Sequence, residues 1–95
     1  GTPTAQSRDH ILALEGDRRF YGGAVGWSHR PDGAVTDDGQ WWVAIRCAEI
    51  AADGHTITTW AGGGIVDGSD PDAELRETSA KLRTVLDAFG LTDPV

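Results

Sequence analysis

Glu74, Glu77 and Lys81 are spaced three and four residues apart, so on a helix their side chains stack on one face. Two carboxylates and an ammonium on one stripe suit two different roles. They make a solvated helix face, with a Glu77–Lys81 pair at i,i+4 that contributes about 0.3–0.5 kcal/mol. They also make a seat for a hard, oxygen-loving cation such as Mg2+, which could itself carry a carboxylate substrate. The second role gains weight from the segment upstream, Ala61-Gly62-Gly63-Gly64-Ile65-Val66. Glycine lets backbone amides approach an anion that a side chain would hold off. The stretch from Gly62 to Lys81 therefore reads as a metal-plus-anion pocket.

A second cation, Arg46, sits in an apolar run between Ala44 and Ala48. An unpaired buried guanidinium is prohibitively costly. It either bridges to a core carboxylate or grips a substrate carboxylate through its planar fork. His10, His29 and His55 are scattered without ligand spacing and read as surface residues. No nucleophile-elbow pattern accompanies the serines, so hydrolase chemistry has no support.

The elements that must position these groups follow from periodicity and punctuation. Ser69-Asp70-Pro71 starts a helix, Gly90 stops it after Phe89, and Leu75, Leu82, Val85, Leu86 and Phe89 form its apolar row. A first helix, capped by Thr4 or Ser7, runs to about Glu15 with Ile11, Leu12 and Leu14 as a short apolar face. Strand character begins at Phe20 and lasts to Trp27, a turn-rich stretch covers Pro31 to Gly39, and Trp41 to Ile50 is the strongest strand pattern. Ala52-Asp53-Gly54 is a hairpin signal, with Thr56 to Trp60 as the returning strand. Three antiparallel strands and a long C-terminal helix make an α+β unit. Both faces of the Trp41–Ile50 strand are mostly apolar: Trp41, Val43, Ile45 and Cys47 on one, Trp42, Ala44 and Ala48 on the other. A sheet covered on both faces needs more cover than these helices supply, so partner structure is expected beyond this set of elements.

At 95 residues the chain is one small domain that should bury about 60–65% of its unfolded surface. A net charge of −7 with a single lysine argues against nucleic acid or an anionic membrane as partner. Cys47, the one cysteine, is expected to be a buried thiol in a reducing compartment. Apolar runs are too short to span a bilayer and no signal-peptide pattern opens the chain, which points to the cytoplasm. The sequence holds no methionine; a truncation, a proteolytic remnant and a small protein with a processed start all stay open.

Taken together, Phe20-Tyr21-Gly22-Gly23-Ala24-Val25-Gly26-Trp27, Trp42-Val43-Ala44-Ile45-Arg46-Cys47-Ala48, Ala61 to Val66 with Ser69-Asp70-Pro71, and Glu74-Leu75-Arg76-Glu77-Thr78 with Lys81-Leu82 resemble the C-terminal part of the chorismate-utilising enzymes. The Val-Gly-Trp and Ile-Arg-Cys-Ala variants look most like isochorismate synthases, although Gly63 departs from the more frequent alanine between the two glycines. The resemblance implies that residues 1–95 are the C-terminal fragment of one chorismate-binding domain. It implies Glu77 as a ligand of Mg2+ with Glu74 as its companion acid. It implies Arg46, the Gly62 backbone and Lys81 as holders of substrate carboxylates, with Tyr21 on the enolpyruvyl carboxylate. Family members are several times longer, and their general acid and base belong to the part not represented here, so no catalytic residue is assigned in this segment.

The implied activity is that of an isomerase, Mg2+-dependent conversion of chorismate to isochorismate in menaquinone or siderophore biosynthesis, with the isolated chain inactive. A salicylate or aminodeoxychorismate synthase is the near alternative, and a non-catalytic small binding module the distant one. The expected partners are chorismate and isochorismate, together with an N-terminal portion or a second copy of the chain.

Overall fold

The computed structural model describes residues 1–92. In chain order these form α1 (Thr4–Leu14), β1 (Ala24–His29), β2 (Asp38–Val43), β3 (Ala48–Ile50), β4 (Ile57–Thr59) and α2 (Pro71–Ala88), an α+β arrangement as expected. The strands make two separate antiparallel pairs, β1 with β2 and β3 with β4.

The long helix begins where its punctuation places it. The Asp70 carboxylate accepts a hydrogen bond from the Ala73 amide at 2.7 Å, Pro71 takes the first helical position, and Asp72 and Glu74 face the positive end of the helix dipole. At the other end Gly90 adopts φ 67°. The Gly90 and Leu91 amides donate to Asp87 and Leu86 carbonyls, both at 3.0 Å, the paired bonds of a Schellman stop. Val85 is buried and Leu82 and Leu86 are half-buried. Leu75, expected in the same row, is instead 65% exposed.

The Trp41–Ile50 stretch corrects the sequence reading. It is not one strand: β2 stops at Val43, the Ile45 amide turns back onto the Val43 carbonyl at 2.9 Å, and Arg46 takes a left-handed φ of 50°. That backbone cannot continue a pleated strand, so the inferred alternation holds only to Val43 and Arg46 leaves the row between Ala44 and Ala48. Three expected strands thus become four, in two hairpins. The first also shifts: β2 begins at Asp38, inside the expected turn, with Gly26 opposite Trp41. A Cβ on Gly26 would lie 2.1 Å from the Gln40 carbonyl oxygen, so only glycine permits this pairing. Strand β1 starts at Ala24 rather than Phe20, because Gly22 (φ 81°) and a bond from the Gly23 amide to the Phe20 carbonyl at 3.0 Å fold 20–23 into a turn. The second hairpin forms as read, around Gly54 (φ 72°), with the Asp53 carboxylate accepting from the His55 amide at 2.8 Å.

In α1 neither Thr4 nor Ser7 caps the start: the N-cap is Pro3, without a side-chain bond. Ile11 is half-buried, but Leu12 and Leu14 are 62% and 86% exposed, so the expected apolar face has no cover. Among the described residues Val85 is the one buried hydrophobic side chain. The Cα radius of gyration is 17.3 Å, against about 12 Å for a close-packed chain of this length. No helix among the described residues is long and apolar enough to cross a membrane.

Candidate functional site

The site lies where the break after β2, the glycine segment after β4 and one face of α2 converge. Tyr21 is brought there by the 20–23 turn, which reciprocal bonds fasten to the break: the Gly22 amide donates to the Ala44 carbonyl and the Ala44 amide to the Gly23 carbonyl, each at 2.8 Å. Tyr21 stacks on Trp60, with ring centroids 6.3 Å apart and planes 19° from parallel. The left-handed turn at Arg46 carries its guanidinium toward α2, where Nη1 donates to Thr84 Oγ1 at 3.4 Å.

Lys81 ties helix to glycine segment. Its ammonium donates to the Gly62 carbonyl at 2.9 Å and pairs with Glu77 Oε1 at 2.5 Å. An ammonium has three donors, so one remains. The Lys81 hydrogen bond, then its charge, holds the exposed Glu77 carboxyl below the usual carboxylate range, and the Arg46 charge acts in the same direction. Glu74 lies one turn earlier; a Cβ added at Gly63 would come within 3.1 Å of its Oε2, so the glycine gives this carboxylate room against the backbone.

A pocket of about 80 Å³ is lined by Tyr21, Ile45, Arg46, Trp60, Ala61, Gly62 and Lys81. All the residues singled out for carboxylate holding thus share one cavity, with Glu77 bonded to its Lys81 wall. Two cations and a phenol around it suit an organic carboxylate. The salt-bridge alternative for Arg46 finds no counterpart: among the described residues no carboxylate pairs with it. Trp60, Ile45 and Thr84 were not singled out from the sequence as site residues; the adjacency of Trp60 to Ala61-Gly62 and that of Ile45 to Arg46 are the signals that pointed to two of them.

Glu74 and Glu77 fit Mg2+ in donor chemistry, since this ion commonly takes one or two protein carboxylates and completes its shell with water and substrate oxygens. Among the described residues no group of three or more His, Cys, Asp or Glu side chains gathers as a fuller metal cage. The three histidines are exposed. Cys47 is half-buried rather than buried; it lines a neighbouring apolar cavity of about 410 Å³ that shares the Tyr21–Trp60 wall.

The chain belongs to the chorismate binding enzyme family, whose model matches residues 1–90. It is 52% identical over 91 residues to the MenF protein of Mycobacterium tuberculosis, covering 96% of this chain and 23% of MenF. It is 50% identical over 92 residues to the isochorismate synthase DhbC of Bacillus subtilis, covering 96% of this chain and 21% of that protein. The vibriobactin-specific isochorismate synthase of Vibrio cholerae is 41% identical over 92 residues, 96% of this chain and 22% of its own length. The chain therefore spans less than a quarter of the length of these relatives. No solved structure matches it significantly.

Proposed function

We propose that this chain supplies the magnesium- and carboxylate-holding part of an isochorismate synthase active site, corresponding to the C-terminal portion of a single chorismate-binding domain. The observation that carries the reading is the convergence of Tyr21, Arg46, Gly62 and Lys81 on one pocket, with Glu77 on Lys81, in a chain that matches isochorismate synthases along almost its whole length. In the proposed reaction water adds at C2 of chorismate and the C4 hydroxyl departs, so substrate and product are isomers.

Each residue has a task in that scheme. Arg46 grips one carboxylate with its two-pronged fork. Lys81 turns its remaining N–H to a carboxylate while Gly62 and Glu77 hold the other two. Tyr21 donates its hydroxyl to the enolpyruvyl carboxylate. Glu77 and Glu74 would hold Mg2+, which when bound neutralises the ring carboxylate. General acid and base groups, each contributing about 10²–10⁴-fold, come in this scheme from outside residues 1–95.

The test is calorimetric titration of chorismate into the chain with Mg2+, alongside a product assay. Binding that strengthens with Mg2+, loss of that dependence in Glu77→Gln, and no isochorismate above a blank are expected. No binding overturns the reading, and robust turnover by verified 95-residue material overturns its division of labour. A second reading, another chorismate-utilising synthase, draws on the 41% identity over 91 residues to anthranilate synthase component 1 of Halobacterium salinarum. Product identification from an active assembly separates the two.

A further inference from the structure

Arg46 is an unusual way to place a guanidinium. A left-handed φ of 50° at a residue with a Cβ is a backbone state that L side chains disfavour, and the side chain beyond it is long and, left alone, free to rotate. Two groups on α2 compete for it. Glu77, a carboxylate on the same helix, pairs with Lys81 and forms no ion pair with Arg46. The direct contact is with Thr84, one turn beyond Lys81, at 3.4 Å from Arg46 Nη1. The Thr84 hydroxyl is itself directed, since it donates to the Ala80 carbonyl at 3.4 Å and so presents its lone pairs outward to the guanidinium.

We propose that Thr84 is a positioning residue for the carboxylate site: its hydroxyl holds the Arg46 guanidinium along the pocket wall and away from Glu77. This inference rests on the carboxylate-binding reading above. Held this way, Arg46 keeps its fork for a ligand and leaves the Glu77 oxygens uncommitted to it. Thr84 is exposed, so its hydroxyl lies outside the core.

The experiment is a double-mutant cycle read by calorimetric titration of chorismate in the presence of Mg2+. Thr84→Val, which keeps the shape and removes the hydroxyl, should weaken binding about threefold to tenfold, the scale of one lost hydrogen bond. Thr84→Ser should restore parental affinity, and Thr84→Ala, a better helix former, should repeat the Val result should Val disturb α2. In an Arg46→Lys background the Thr84→Val effect should vanish, because the group it positions is gone. Unchanged affinity in both Thr84→Val and Thr84→Ala overturns the inference and leaves the functional reading standing. An equal loss in the Arg46→Lys background also overturns it, since Thr84 would then act by another route. No chorismate binding by the parent chain removes the functional reading and this inference together.

Discussion

Lys81 and Arg46 carry the same charge and are held in different ways. Lys81 spreads three point-like donors over the Gly62 carbonyl, Glu77 and open space, whereas Arg46 offers a rigid planar fork from a left-handed turn. Charge alone therefore does not define the Arg46 position. Arg46→Lys is expected to weaken chorismate binding at least about tenfold, as a charge-assisted two-point contact becomes one. Titration calorimetry measures it; normal binding with a lowered melting temperature would instead make Arg46 a structural residue. The residue types at this site were legible from the chain because their chemistry is spelled out locally: Glu74, Glu77 and Lys81 at helical spacing, glycines just before. Thr84 and Trp60 were not, since a hydroxyl or an indole becomes part of a site only through neighbours 38 or 39 residues away.

Among the elements, α2 and the second hairpin were legible from local covalent or hydrogen-bonding punctuation, whereas the cap expected at Thr4 or Ser7 of α1 does not form. The Asp70-Pro71 start and Gly90 stop of α2, and the Asp53-Gly54 hairpin, need only residues a few positions apart. The break after Val43 was hidden because Ile45, Arg46 and Cys47 have strand-like composition, and what ends β2 is the backbone angle at Arg46 rather than a glycine or proline. A comparable local device fastens the end of α1 to the chain leading to Tyr21. Arg18 Nε and Nη2 donate to the two Glu15 carboxylate oxygens at 2.6 and 2.8 Å, and the Arg18 hydrogen bond holds the Glu15 carboxyl below its usual range, against a small opposing effect of burial. The folded pKa is depressed, so the pair stabilises the fold above the unfolded carboxyl's pKa, and the contribution is lost as pH falls through the folded value. With side chains 40% and 48% exposed, it amounts to about 0.2–1 kcal/mol. An NMR titration of the Glu15 carboxyl should show the low midpoint, and Arg18→Gln should return it to the ordinary range. A midpoint indifferent to Arg18 would contradict the assignment.

For the whole molecule, the accessible surface of 7846 Å² exceeds by about 2,500 Å² what a compact chain of this mass exposes. Much of the excess is apolar, including Trp41 at 63%, Trp42 at 54%, Val25 at 60% and Phe20 at 81% exposure. Exposed apolar side chains on this scale drive association, and the chain is expected to self-associate or to bind a companion polypeptide. Light scattering with intact mass spectrometry distinguishes the two, and a stable monomer with its tryptophans shielded would contradict both. The expectation of uncovered surface came from the apolar residues on both faces of the Trp41 stretch, and it survives the loss of the continuous strand on which it was argued, because β2 exposes those same tryptophans.

That distribution of aromatic rings also divides the molecule optically. Trp27, Trp41 and Trp42 lie on the open hairpin, each more than half exposed, while the fourth indole, Trp60, is half-buried against the only tyrosine. Excitation of Tyr21 is therefore expected to reach Trp60 at the pocket wall, whereas the hairpin indoles face water. Covering the hairpin should therefore shift the emission of its three exposed indoles to the blue, and filling the pocket should change the emission of Trp60.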